Sequence, residues 1–156
     1  MHKRILAGFV VMAAMLTVVP LGSPAVATGI GNEGCTPGYW KNHPDSWEEY
    51  TPDTKLGDLW TFPAELSGFA DWTMLDALNA QGGPGLDGAT EILVRAATAA
   101  YLNAAHDGVG YPYRRFTSPG KLQHRINTAL ASLSRAKILD LATLLDTANN
   151  LGCPLN

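Results

Sequence analysis

Apolar residues recur at helical spacing in the middle of the chain and predict its longest helix. This helix runs from Gly88 to about Ala105, with Asp87 as its N-cap. Its inward stripe consists of Ile92, Leu93, Ala96, Ala97 and Ala100. Because small side chains let a second helix approach closely, we expect this helix to be central.

Two more amphipathic patterns follow toward the C-terminus. Ser118 and Pro119 are typical of an N-cap and a first helical residue. The helix that they begin places five side chains inward: Leu122, Ile126, Ala129, Leu130 and Leu133. Ser134 is the expected N-cap of the last helix, and Gly152 ends it. Its inward residues are Ile138, Leu141, Ala142, Leu145 and Ala148.

The N-terminal half predicts shorter elements. Residues 28–44 are rich in Gly, Pro and Asn and predict a loop, and residues 55–63 predict an irregular connection. Asp45 and Glu48 resemble a capping box for a short helix that ends by Tyr50. A further helix is expected from about Ala70 to Asn79. Since no stretch alternates with a period of two, the predicted fold is all-α: a small bundle of three to five helices with a loop-rich N-terminal cap.

The first 27 residues have the three-part pattern of a secretory signal peptide. A basic start, MHKR, precedes an uncharged apolar run from Ile5 to Gly22, and Ala25 and Ala27 form an A-x-A site. We expect cleavage after Ala27, which leaves a single secreted helical domain over residues 28–156, with no membrane contact after cleavage. The alternative is an uncleaved membrane anchor, since the run is near the spanning length.

Two cysteines, Cys35 and Cys153, remain after cleavage. In an exported chain this number predicts one disulfide, which would clamp the N-terminal cap to the C-terminal end. A metal or redox role is the alternative, but the chain contains no C-x-x-C motif and no histidine adjoins Cys153.

Charge is unevenly distributed along the chain. Residues 45–91 hold ten acids and one base, whereas residues 108–139 hold six bases and no acid. The predicted mature chain has nine basic and 14 acidic residues, a balance that argues against nucleic-acid binding. The two charged segments are either solvated helix faces or the poles of a domain that associates head to tail or binds an anionic polymer.

The sequence contains none of the catalytic or cofactor-binding motifs that we considered in a context that supports them. Gly83, Gly85 and Gly88 fit G-x-G-x-x-G, but a helix precedes them and no βαβ unit follows, so we interpret them as an inter-helix loop. Asn149 and Asn150 are expected to cap backbone groups at the end of the last helix. The chain has no G-x-S-x-G elbow, and we predict no catalytic residue and no cofactor.

The stretch from Tyr39 to His43 is the strongest candidate surface. Its residues, which are Tyr39, Trp40, Lys41, Asn42 and His43, form either a plug over the helices or a binding site. Trp47 and Trp72 are expected to fill the core. His43 and His106 are the only metal candidates, and they would have to converge from two loops.

Three segments carry a resemblance to a known group of proteins. They are GCTPGYWKNHP near the N-terminus, ILVRAATAAYLNAAH with YPY in the middle, and LDTANNLGCPL at the end. These motifs resemble those of a widespread family of exported, largely uncharacterised microbial proteins. The resemblance implies one exported domain with paired cysteines and a role at the cell surface or in the matrix, and it supplies no catalytic residue.

These patterns favour a non-catalytic, secreted or cell-surface-associated binding or structural domain. Its expected partner is an extracellular molecule, a cell-surface polymer or a second copy of the chain. The alternative is an extracellular metal- or glycan-binding module centred on Trp40 and His43. A third hypothesis is a secreted hydrolase with a site that the motifs do not show.

Overall fold

The computed structural model describes residues 31–116 and 120–155. Within them the fold is helical, as predicted, and the only β pairing is two isolated bridges, Gly34 with Gly152 and Lys55 with Thr73. The α-helices are α1 (Pro37–Asn42), α2 (Leu56–Leu59), α3 (Met74–Asn79), α4 (Gly85–Ala105), α5 (Leu122–Ala131) and α6 (Arg135–Asn149). Two 3-10 helices cover Pro44–Ser46 and Ala64–Asp71. The predicted signal peptide and the predicted cap at Ser118 and Pro119 lie outside the described residues.

Helix α4 forms the centre of the bundle, as its alanine-rich stripe predicts, and packs most extensively against α6. The two helices run in the same direction. At their N-terminal ends, Arg135 donates a hydrogen bond to the carbonyl of Gly83 over 3.2 Å. At their C-terminal ends, Asn103 donates to Asn149 over 3.0 Å. Helix α5 makes the return between them, and Leu133 turns outward in the α5–α6 connection, where its φ is 48°. Its predicted burial is therefore wrong.

The loop predicted over residues 28–44 contains a helix that the pattern missed. Thr36 is the N-cap of α1 and accepts a hydrogen bond from the backbone of Tyr39 over 3.1 Å, with Pro37 in the first helical position. The predicted helix after Asp45 is only the 3-10 turn Pro44–Ser46. The carboxylate of Glu48 does not close a capping box, because it accepts a hydrogen bond from the backbone of Asp107 over 2.8 Å.

The helix predicted from Ala70 to Asn79 is interrupted at Trp72 and Thr73. The Trp72 carbonyl accepts a hydrogen bond from the backbone of Leu56 over 2.8 Å, which holds the chain extended there. Thr73 then begins α3 as its N-cap, in a reciprocal capping box with Asp76. Residues 55–63 also differ from the prediction, since they contain α2.

The predicted disulfide is confirmed. Cys35 and Cys153 are bonded with a Cα–Cα distance of 4.4 Å across a sequence separation of 118 residues. Beside the bond, the backbone of Gly34 donates to the carbonyl of Gly152 over 2.9 Å. The first and last described segments are thus fixed to each other. None of the helices in the described part of the chain is long and apolar enough to cross a membrane.

Candidate functional site

Helix α1 divides the predicted surface from Tyr39 to His43 into an inner and an outer part. Trp40 is fully buried in the core, whereas Lys41, Asn42 and His43 are exposed and Tyr39 is partly buried. Consecutive positions of a helix point in different directions, so the buried Trp40 and the exposed Lys41 lie on different sides of α1. Trp40 is therefore a plug, and its ring has no open face on which a sugar could stack.

The indole of Trp40 is held by a buried polar network centred on Asn103. The Asn103 side-chain oxygen accepts hydrogen bonds from the Cys35 backbone over 2.7 Å and from the Trp40 indole over 3.1 Å. Its amide nitrogen donates to the Cys35 carbonyl over 2.8 Å and to Asn149 over 3.0 Å. An asparagine side chain can make about four hydrogen bonds, so that of Asn103 is fully used.

Asn149 extends this network instead of capping its own helix, so its predicted role is wrong. Its side chain donates to the Ala96 carbonyl over 2.9 Å and accepts from the Tyr111 hydroxyl over 2.8 Å. Asn150 does cap, donating from its side chain to the Asp146 carbonyl over 2.8 Å. The network is structural: it joins the N-terminal cap to both long helices in the interior.

Three of the predicted surface residues do share one groove. Tyr39, Asn42 and His43 line a depression of about 390 Å³ beside the disulfide. The His43 ring stacks on Tyr39 with centroids 4.3 Å apart, and its Nδ1 lies 2.8 Å from the Tyr39 carbonyl. These contacts hold the ring against its own helix. Lys41 does not line this groove.

His106 lies in a different environment from His43. Its Nδ1 accepts a hydrogen bond from the Gly108 backbone over 3.0 Å, so its proton is on Nε2, which faces Glu48 at 3.5 Å. Residues 31–116 and 120–155 contain no group of three or more His, Cys, Asp or Glu side chains that could hold a metal ion. The structure therefore does not bring the two predicted histidines into one metal site.

A second groove, which the sequence patterns did not single out, surrounds Trp72. It consists of two adjoining depressions of about 340 and 520 Å³ that share Trp72 and Glu91. We call this surface the Trp72 groove and define it by Glu65, Phe69, Trp72, Asp76, Asp87 and Glu91. Its lining residues, all of which the structure describes, include four carboxylates and no basic side chain.

The aromatic side of the groove is held by the backbone of its own segment. Trp72 follows the 3-10 helix Ala64–Asp71, and its backbone donates to the Phe69 carbonyl over 3.2 Å. The Trp72 ring is only partly buried, and its centroid lies 4.8 Å from that of Phe69. The prediction that Trp72 fills the core is therefore incomplete, because part of its ring faces the groove.

Two of the carboxylates are also fixed in place. Thr73 donates hydrogen bonds from its backbone and side chain to Asp76, and these lower the pKa of the Asp76 carboxyl below its usual value. Glu91 accepts a hydrogen bond from the Gly82 backbone over 2.9 Å. In the sequence, the feature that indicates this site is the acidic segment 45–91, which contains Trp72. The segment does not show which of its carboxylates lie together in the folded protein.

No protein-family model matches this chain, and no curated protein or solved structure matches it significantly. The resemblance to the exported microbial family therefore stays a prediction from motifs.

Proposed function

We propose that this chain is an exported, non-catalytic binding domain and that the Trp72 groove binds a cationic group of its partner. The observation that carries the proposal is the partly exposed side chain of Trp72 among the carboxylates of Glu65, Asp87 and Glu91. An aromatic face attracts an ammonium or guanidinium group, and nearby carboxylates add charge-assisted hydrogen bonds. This combination favours a lysine- or arginine-bearing partner over a neutral one.

The rigidity of the scaffold supports a binding role. The aromatic wall is fixed by backbone hydrogen bonds, and Glu91 projects from the central helix α4. A groove that is held open in the free protein loses little conformational entropy when a ligand binds. The Asn103 network and the disulfide fix the rest of the domain around α4.

Export is supported by the N-terminal pattern and by the disulfide, which persists in oxidising compartments. The test is the intact mass of protein recovered from the medium of an exporting host. The expected mass corresponds to a chain that begins at Thr28 and carries one disulfide. A mass that includes residues 1–27 contradicts cleavage.

Binding is tested with a hexalysine peptide, followed by calorimetry and by the indole N–H resonances of the four tryptophans. The expected result is a selective shift of the Trp72 resonance. Trp72→Leu keeps an apolar side chain and removes the aromatic face, and Glu65→Gln removes one charge with nearly the same shape. Each should raise the dissociation constant severalfold.

The matched control for these variants is Asp53→Asn, which removes an exposed carboxylate outside the groove. It should bind hexalysine nearly as the unmodified protein does. If the peptide does not bind, or if it binds all four proteins equally, the Trp72 groove is not the cation site.

A further inference from the structure

A basic groove lies between α5 and α6. It has a volume of about 300 Å³, and we call it the α5–α6 groove and define it by His124, Arg125, Thr128, Lys137 and Leu141. The Arg125 guanidinium lies 5.3 Å from the centroid of the Tyr113 ring, which restricts its position. No carboxylate lines this groove, and it shares no lining residue with the Trp72 groove.

The charged side chains of both grooves form no ion pair within one copy of the chain, in the part that the structure describes. In the part of the chain that the structure describes, the ion pairs are Lys55–Asp71 and Arg115–Glu49, and His106 lies 3.5 Å from Glu48. None of these pairs includes a residue of either groove. The Arg115–Glu49 pair joins the basic and acidic segments, but the carboxylates of the Trp72 groove and the cations of the α5–α6 groove lie outside it.

Lys137 lies where an external carboxylate would be favourable. It lies in the first turn of α6, which contains no acidic residue, and its side chain is exposed. The partial positive charge at a helix N-terminus disfavours a nearby cation. A carboxylate brought by a partner offsets this repulsion.

We infer that the partner of the Trp72 groove is a second copy of this chain, whose α5–α6 groove presents Arg125 and Lys137. This inference rests on the proposed function, since it names the source of the cation. The argument is charge complementarity: one groove has four carboxylates beside the partly exposed Trp72, and the other has two permanent cations on adjacent helices. Because the two surfaces differ, the contact is heterologous and repeats head to tail.

The test is sedimentation velocity of the purified protein over a range of concentrations and of salt. At about 20 mM NaCl the weight-average mass should rise above that of a monomer with protein concentration, and at about 500 mM it should return to the monomer value. Glu65→Lys removes the acidic contact and Lys137→Glu removes the basic one. Each variant should associate at least tenfold more weakly than the unmodified protein.

Mixing the two variants gives the sharpest readout. The Glu65→Lys protein retains its basic groove and the Lys137→Glu protein retains its Trp72 groove, so together they should form a one-to-one dimer that grows no further. A dimer in the mixture also shows that both variants are folded. The matched controls are Asp53→Lys and Arg114→Glu, which reverse exposed charges outside both grooves.

The outcomes separate this inference from the proposed function. A protein that stays monomeric at low salt but binds hexalysine through Trp72 overturns the self-association and leaves the cation site standing. A protein that does neither overturns both. Self-association that the two groove variants and the two controls weaken equally contradicts the assignment of the contact to these grooves.

Discussion

The side chain of Asn103 connects three segments that are distant in sequence: the N-terminal cap, α4 and the end of α6. It bonds both backbone groups of Cys35, the Trp40 indole and the side chain of Asn149. All of these groups are buried, so a group that loses its hydrogen-bond partner cannot form a hydrogen bond with water instead. An unpaired buried polar group costs about 1–3 kcal/mol.

Asn103→Leu keeps a similar volume and removes all four hydrogen bonds. We expect the free energy of unfolding to fall by about 3–5 kcal/mol, because several buried donors and acceptors lose their partner together. Urea denaturation measures this change. The control is Asn150→Ala, since Asn150 is exposed and makes one local hydrogen bond, and it should cost under about 1 kcal/mol. Equal costs for the two variants would contradict the structural role of the network.

Two buried tyrosines make the fold sensitive to alkaline pH. Burial raises the pKa of Tyr101 to about 12 and also raises the pKa of Tyr111. The usual pKa of tyrosine is about 10, so folding favours the protonated phenols. Their stabilisation is complete below pH 10 or so and is lost as the pH rises through the folded-state values.

The free energy of unfolding should therefore decrease steadily from about pH 10 to about pH 12. Urea titrations at several pH values measure the slope, and the ultraviolet absorbance of phenolate reports ionisation. Tyr101→Phe removes one titrating group, so its stability should fall less steeply over this range. An identical slope in this variant would show that Tyr101 does not contribute.

At the residue scale, the sequence identified some of the residues that stabilise the fold, but it did not predict which residues they contact. The two cysteines are visible as a pair because the chain contains no others. The role of Asn103 could not be predicted, since nothing about an asparagine in an alanine-rich helix indicates that it will form hydrogen bonds with Cys35. Its four partners come together only after α1, α4 and α6 have packed.

At the scale of elements, Gly88 shows how closely the start of α4 packs against the preceding loop. Gly88 is buried, and a Cβ atom added there would overlap the carbonyl group of Gly83. Alanine favours a helix over glycine by up to about 1 kcal/mol. The overlap is with backbone, which cannot move aside as a side chain can, so the steric cost should exceed this gain.

We therefore expect Gly88→Ala to lower the free energy of unfolding by about 1–3 kcal/mol. The matched control is Gly38→Ala in α1, where the nearest atom to an added Cβ is the Thr36 hydroxyl at 3.7 Å. This variant should be neutral or stabilised by up to about 1 kcal/mol. Thermal and urea denaturation of both proteins distinguish the two effects. If Gly88→Ala instead raises the free energy of unfolding, the prediction is wrong, and the backbone at Gly83 can move away from the added methyl group.

The two long helices were predictable because their patterns extend over several turns, whereas the short ones depend on single residues. Helix α1 was missed because Pro37 and Gly38 suggest a loop, although Pro after Thr is also a helix start. The break before α3 follows from the hydrogen bond between Leu56 and Trp72, which residue preferences do not contain. Its capping box at Thr73 and Asp76 is a local signal that the longer apolar pattern obscured.

At the scale of the molecule, the uneven distribution of charge was visible in the sequence. The grooves that the charged residues form were not. The acidic and basic segments predict two poles. Which acids face one another around Trp72 depends on how the 3-10 helix Ala64–Asp71 packs beside α4. The proposed head-to-tail contact depends on that packing.

The disulfide acts on the whole chain because it joins residues 118 positions apart. In the chain-entropy account, a loop of about 100 residues stabilises the folded state by about 4.7 kcal/mol, by restricting the unfolded chain. In the folded state the same two segments are also held by the Gly34–Gly152 hydrogen bond and by Asn103. Removing the covalent bond should therefore lower stability and leave the fold unchanged.

Cys35→Ser and Cys153→Ser should each lower the free energy of unfolding by about 3–5 kcal/mol, with a helical circular dichroism spectrum like that of the unmodified protein. The double variant should cost no more than either single one, because all three lack the same bond. The unmodified protein should show no free thiol and, after reduction, should be about as stable as the variants. If either single variant keeps full stability, the chain-entropy account of this disulfide is wrong.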